Sequence, residues 1–489
     1  MSITAIYPYF LHFLLYLKFH YAIMLVMIKI LQGATDMNNL QEKEEKKHFY
    51  KQVFCLVLPM ALQNLINVGV TTADVVMLGK VNETVLSGSS LAGQVQFIMF
   101  LILFGLTSGA GVLTAQYWGK KDIRTIEKVM GITMRLALII AVLFTVAVLL
   151  FPYQIMRIYS HEEDVIKEGV AYLRIIAFSY IFMTITLIYL NIMRSIERVI
   201  IATIVYLVSL VVNVLLNSVF IFGMFGLEPM GIRGAALATL IARIIEFLIV
   251  VYYAKYVNRE VRFHFKDLFP HDKLLMKDFI IYSMPVLLNE LIWGAGTSTN
   301  AAIIGHLGKA AVAANSVTQV TRQLAMIVSF GLANATAILI GKAIGENKED
   351  KAKVYAKRFI RLSILFGFVG SVVILTTSVI ARDMLSLSDQ AKTYMSFMMF
   401  VMSYFAIGQS FNSIVVVGIC RAGGDTKFGL YLDTFFLWCV SILFGAIAAF
   451  LLKLPVQIVY MVLLSDEILK MPVSYWRYRT MKWLKNVTR

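Results

Sequence analysis

Between residues 53 and 475 the chain alternates long apolar runs with short polar segments. A helix needs about 20 apolar residues to cross the hydrocarbon core of a bilayer. By that measure the sequence predicts twelve spans, near 53–78, 91–116, 129–151, 168–190, 200–222, 233–254, 278–304, 314–340, 359–380, 393–418, 428–451 and 455–475. The connecting segments are too short to hold a folded soluble domain. The expected fold class is an all-α membrane protein with twelve transmembrane helices.

Composition agrees with the pattern: 59% of the 489 residues are hydrophobic and only 15% are charged. Soluble domains carry about 45–50% apolar residues and about 25% charged ones. The net charge of +16 invites a nucleic-acid reading, but its placement argues against one. Lys and Arg gather on alternate connections, as at Lys120, Lys121, Arg124 and Lys128, or Lys348, Lys351, Lys353, Lys357 and Arg358. The other set of connections carries few basic residues, such as Lys80 and Lys309. This is the positive-inside bias, and it predicts a multi-pass inner (cytoplasmic) membrane protein with both termini in the cytoplasm. The expected partners are the lipid bilayer and a small organic substrate, with no nucleic acid, and the expected functional unit is a monomer. Cys55, Cys420 and Cys439 have no metal or disulfide spacing and read as small core residues.

Residues 1–36 form an apolar extension with Lys18 and His20 near its middle, a poor fit to a signal peptide. A thirteenth span there would move the lysines of 41–51 to the wrong side, so synthesis is expected to begin at Met37.

The phrase "FGLTSGAGVLTAQYWGKKD" at Phe104 returns as "FGLANATAILIGKAIGENK" at Phe330, an offset of 226. The offset also pairs Pro59 with Pro285, Thr71 with Thr297, Gly79 with Gly305 and Ser90 with Ser316. At an offset of 227, Arg194 pairs with Arg421. Two six-helix halves, 37–254 and 278–489 with its basic tail, are thus expected, joined by a basic cytoplasmic linker at 255–277. Because six is even, the halves enter from the same side and form a parallel repeat about an axis along the membrane normal. Many secondary transporters place a substrate between such halves.

The stretches "LPMALQNLINVGVTTADVVMLGK", "NVLLNSVFIFG…GIRGAALATLIAR", "MPVLLNELIWGAGTSTNAAIIGHLG" and "GICRAGGDTKFGLYLDTFFLW" carry a resemblance, with the doubled phrase and the tail "YWRYRTMKWLKNVT". Over about residues 48–488 the chain resembles the multidrug and toxic compound extrusion (MATE) transporters. The resemblance implies an antiporter that exports organic, often cationic, compounds against Na⁺ or H⁺, with no other cofactor. A lipid-linked oligosaccharide flippase of the same superfamily is the alternative. Such relatives tend to carry basic residues in the cavity, whereas the central charges here read as mostly acidic.

Two carboxylates are the candidate ion-coupling residues. Asp74 lies well inside span 1, where a charge costs roughly 2.5–3.5 kcal/mol on insertion scales. The competing reading is a carboxyl tied to Thr71 or Thr72 that locks helices together. The resemblance puts an ion-coupling acidic residue at this position; the repeat partner is the uncharged Asn300. Glu290 follows Pro285 in span 7, where a proline-weakened helix offers free carbonyls. Carboxylate and carbonyls together would suit Na⁺, so Asp74 and Glu290 are also the metal candidates if Na⁺ is the ion. Many relatives carry an aspartate in span 10, where this chain has Gln409, Ser410 and Asn412. With Gln63, Asn64, Asn289, Asn300 and Asp433 these polar residues form the candidate cavity lining. Arg243 and Glu246 are spaced as an intrahelical pair, and Arg194 and Arg421 read as loop residues that cap or meet phosphate. No HExxH, nucleophile elbow or phosphate-binding glycine loop points to an enzyme or an ATP-driven pump. The "HEED" run at 161–164 reads as a solvated loop.

Overall fold

The computed structural model describes residues 40–269, 272–384 and 387–489. The extension 1–36 and the expected start at Met37 lie outside them. Among the described residues every regular element is helical. In the first half, α1 is Leu40–Gly79, α2 Glu83–Lys120, α3 Ile123–Leu150, α5 Ile200–Phe222 and α6 Ile232–Tyr252, while α4 is the pair Glu163–Ile176 and Ser179–Ser195. In the second, α7 is Lys273–Gly305, α8 Lys309–Gly345, α9 Glu349–Met384 and α10 Asp389–Asn412, which continues as π-helix to Cys420. Then α11 starts at Thr426–Asp433 and runs through π-helical turns to Leu451, and α12 is the pair Val456–Leu463 and Asp466–Arg479.

Helix starts carry the caps their sequences allow. The side chains of Asn82, Asp122, Asp272 and Ser388 accept from the amides of Val85, Thr125, Leu275 and Ala391. Asp272 lies outside the spans, and the Leu275 amide beside it, with Lys128, holds its carboxyl below the usual carboxylate range. Pro285 sits inside α7 without ending it.

Among the described residues ten helices are long and apolar enough to cross a bilayer singly, and the two parts of α4, bent by 56°, make an eleventh if taken as one span. The bend has local causes. Thr145 of α3 donates to the Ala177 carbonyl at 3.2 Å, and Ser179 turns back to the Ile176 carbonyl at 2.6 Å. The twelfth predicted span departs from the pattern: α12 breaks after Leu463, and its second part opens with buried Asp466, Glu467 and Lys470. A short helix, Pro152–Tyr159, lies in the connection before α4, where the sequence suggested only loop.

The halves meet where α2 packs on α7 and α8, and where α1 packs on α8. The contacts are reciprocal under the repeat. Gly105 abuts Leu287, and its repeat partner Gly331 abuts Ala61, the residue 226 positions before Leu287. Likewise Gly119 presses on the backbone of Lys342 in α8, and its partner Gly345 presses on Gln116 in α2. Any side chain at Gly119 or Gly345 would collide with backbone of the other half. The doubled phrase is therefore a doubled helix seam, and it lies toward the end of the bundle that carries the basic loops.

The chain after α12 closes this end. Trp483 is fully buried, Gln116 accepts from the Val487 amide at 2.8 Å, and it donates to the carbonyls of Ala422 at 2.7 Å and Lys485 at 3.1 Å. Arg489 pairs with Asp278 at 2.9 Å. The linker also docks: Asp267 and Glu127 share Arg124 at 2.6 Å and 2.9 Å, while Glu127 accepts from the Arg262 amide. Glu127, His264 and Asp267 lie together, but Arg124 already occupies the two carboxylates. Of the cysteines only Cys420 is buried; Cys55 and Cys439 sit on exposed faces, contrary to their reading as core residues.

Candidate functional site

In the first half, two helices set polar groups four residues apart, so each pair shares one face. α5 presents Asn213 and Asn217, and α6 presents Thr239 and Arg243. Asn217, fully buried, donates to the Asp74 carboxylate at 2.5 Å and to Asn213 Oδ1 at 3.1 Å. Asn213 in turn donates to Thr239 Oγ1 at 3.2 Å. Tyr172 of α4 is hydrogen-bonded to Thr239. Arg243 binds Glu246 at 2.7 Å, as its spacing predicts, and also acts electrostatically on Asp74.

Thr71 and Thr72 do not hold Asp74: they donate to Asn67 and Val68, one turn back in their own helix. Asp74 is tied instead across to α5. The carboxylate, the unpartnered Asn217 Oδ1 and the Thr239 hydroxyl gather oxygens suited to a hard cation, or to a carboxyl that exchanges a proton. Asn213 and Asn217 were missed as site residues. Their signal was two amides spaced by four in an otherwise apolar run.

The second half is built differently. Glu290 pairs with Arg421 at 2.8 Å, both nearly buried, and Arg421 donates to Ser108 of α2 at 3.2 Å. Arg421 is thus an ion-pair residue bridging the halves, and its expected loop role is not what the structure gives it. Its repeat partner Arg194 also turns inward, donating to Gln63 at 3.0 Å. Gln63 is 1% exposed and saturated, since it also donates to the Val199 carbonyl and to Thr203, so it locks α1 to the α4–α5 corner rather than lining a cavity. Asn64 reaches the Ile327 carbonyl of α8 at 3.5 Å, across the halves. Asn289 and Asn300 each keep a buried side-chain oxygen without a partner.

Asp433 belongs to a cluster that sequence reading missed. Lys470, 1% exposed, contacts Asp433 at 2.8 Å, Asp466 at 2.7 Å and Glu467 at 3.4 Å. Asn412 joins it by donating to Glu467 at 2.8 Å. Gln409 accepts from Arg322 of α8 at 3.1 Å, and Ser410 bonds Ser329 and the Ser363 carbonyl. The basic members Lys470 and Arg322 correct the expectation of a mostly acidic interior. Lys470 falls inside the twelfth predicted span, 455–475, where it was not singled out.

The MatE family model matches residues 59–219 and 285–447, one block in each half. Among curated proteins, "Probable multidrug resistance protein YoeA" of Bacillus subtilis is 23% identical over 457 residues, covering 92% of this chain and 97% of that one. "Probable multidrug resistance protein NorM" of Thermotoga maritima is 25% identical over 337 residues, covering 69% and 72%. Among solved structures, a MOP superfamily transporter from Pyrococcus furiosus, described as having a binding pocket of reversed polarity, superposes with a TM-score of 0.80 at 18% identity, covering 88% of this chain and 95% of that one. An outward-facing multidrug resistance MATE family transporter superposes with a TM-score of 0.79 at 17% identity, covering 88% and 95%. With the same stretch of each half matched, the chain belongs to the MatE family, the multidrug and toxic compound extrusion transporters.

Proposed function

We propose that this transporter is a secondary antiporter of the cytoplasmic membrane that exports organic compounds in exchange for Na⁺ or H⁺. Asp74 is the coupling carboxylate in this reading. The observation that carries it is the bond from buried Asn217 to Asp74 within a membrane-spanning part of the bundle. A carboxylate held this way in a bilayer is expensive, and such residues mark ion and proton paths. An ion entering down a 100 mV potential supplies about 2.3 kcal/mol per charge.

Both termini and the basic loops face the cytoplasm in this reading, so the closed seam is the cytoplasmic gate. The relatives named as multidrug resistance proteins support the substrate class, and the acidic Lys470 cluster suits a cationic centre on it. Glu290 contributes through its partner. Neutralising it with a proton or Na⁺ frees Arg421 from its carboxylate and weakens the bridge to Ser108, which unlocks the gate.

The test is efflux of a cationic dye from loaded proteoliposomes, driven separately by Na⁺ and pH gradients. Wild type is expected to export uphill with one of the gradients. Asp74→Asn, which keeps shape and hydrogen bonding, is expected to fold normally and to lose that uphill export. Full coupling per folded molecule in the variant would remove Asp74 from the mechanism.

A further inference from the structure

A groove of about 660 Å³ opens on the outer side of the bundle where α3 and α7, one helix from each half, come together. Its charged lining is mostly basic: Arg135 of α3, with Lys273 and Lys277 from the first turns of α7. Asp272, the one carboxylate among the described lining residues, is already engaged by Lys128 at 3.3 Å and by the Leu275 amide at 3.0 Å. Asp278, next along α7, is taken by Arg489 at 2.9 Å. Among the described residues no carboxylate pairs with Arg135, Lys273 or Lys277. Arg135 lies over the ring of Phe269, 5.6 Å from its centroid. It stands six residues inside the expected span 3, about 9 Å along the helix, within snorkelling reach of the headgroups. A half-buried guanidinium at that depth calls for an anion that these residues do not supply.

Beyond the cations both helices turn apolar in the same rhythm. Four, seven and eleven residues after Arg135, α3 presents Ile139, Val142 and Val146, all exposed. The same steps from Lys277 along α7 reach Ile281, Met284 and Leu288, also exposed. Such steps keep to one face of a helix, so each cation heads an apolar stripe. Each stripe is about 16 Å long at the helical rise, roughly half the hydrocarbon core and thus the depth of one leaflet. Both helices begin at the end that carries the basic loops, so the two stripes descend from the same membrane surface. Phe269, exposed at the mouth of the groove, stands where aromatic side chains favour the headgroup level.

We infer that this groove binds an anionic glycerophospholipid, with its phosphate among Arg135, Lys273 and Lys277 and its two acyl chains along the two stripes. A guanidinium takes a phosphate through paired, charge-assisted N–H···O bonds, and basic pockets between membrane helices hold anionic headgroups. A zwitterionic headgroup fits less well, because its own ammonium would meet three cations. Two apolar stripes match two chains, which a free phosphate lacks. The occupant touches α3 of one half and α7 of the other, so it bridges the halves from the lipid side. The site needs only a bilayer, whatever ion or compound the protein exchanges.

The experiment measures binding of the first lipid to the purified full chain in detergent by native mass spectrometry. The probes are phosphatidylglycerol and phosphatidylcholine with identical chains. Wild type is expected to prefer phosphatidylglycerol by about tenfold or more. Arg135→Gln, Lys273→Gln and Lys277→Gln together should bring that preference within about twofold. A control with Lys348→Gln, Lys351→Gln and Lys353→Gln removes equal charge from the same end and should keep it. No preference in wild type, an unchanged preference in the groove variant, or an equal loss in the control would overturn the inference. Inorganic phosphate in large excess should leave phosphatidylglycerol bound; full displacement would assign the groove to a free anion instead. Should the triple variant fail to fold, the pair Lys273→Gln and Lys277→Gln decides, since both side chains are exposed. That pair should lose about threefold of the preference, and no loss would sink the idea.

Discussion

Arg421 holds Glu290 at 2.8 Å with one terminal nitrogen and Ser108 at 3.2 Å with the other, so a single guanidinium joins the ion pair of one half to a helix of its counterpart. Both partners of the ion pair are nearly buried. Removing one charge leaves the other uncompensated, a loss of about 3–5 kcal/mol for buried pairs. Glu290→Gln should therefore lower the melting temperature in detergent, and Glu290→Gln with Arg421→Gln should recover much of it. If Glu290 also takes part in coupling, the stable double variant will still lack ion-driven export. Normal export by the double variant would reduce Glu290 to a structural role.

Lys470 offers a sharper case, because one ammonium meets three carboxylates. Lys470→Met should abolish accumulation of folded protein, since the carboxylates are left facing each other. Adding Asp433→Asn removes one of them and should restore part of the yield. Monodisperse elution in size-exclusion chromatography is the readout. Equal behaviour of wild type and Lys470→Met would show that the cluster does not stabilise the helices it joins.

At the seam, Gly345→Val drives a Cβ into the backbone of Gln116. The expected result is a basic end that no longer closes. Ala115→Cys, buried in the closed seam at 2% exposure, should become reactive to a maleimide in the Gly345→Val background. The three native cysteines are removed for this measurement. Unchanged protection would mean that the helices shift without parting.

The parallel arrangement predicts one more observable. Cysteines at Lys121 and at Lys351 should both resist an impermeant thiol reagent added outside intact cells. Labelling of one and protection of the other would require inverted halves.

The apolar runs foretold the spans because membrane helices must hide their backbone polar groups from lipid, whatever they pack against. The repeat foretold the seam, since the residues it preserves include the glycines that let helices of opposite halves approach. The site was less legible. Asp74 stood out as a charge, but its partner Asn217 lies 143 positions away and carries none. The Arg421–Glu290 pair joins residues 131 apart, and nothing local marks either as the other's partner. Pro285 suggested an opened helix, yet α7 runs through it. The cysteines went astray for a plainer reason: a lipid-facing surface accepts the same small apolar residues as a protein core.

The reciprocal contacts of Gly119 and Gly345 bear on how this protein can evolve. Each glycine is checked by the other half, so a change at either one is felt on both sides of the axis. The polar positions answer to no such rule: Asp74 corresponds to Asn300 and Gln63 to Asn289, while Arg194 binds an amide where Arg421 binds a carboxylate. Geometry is inherited in duplicate and chemistry is not. Mutational drift should be suppressed along the joint and free to specialise each lobe, so that the polar chemistry of one half can change without retuning that of the other.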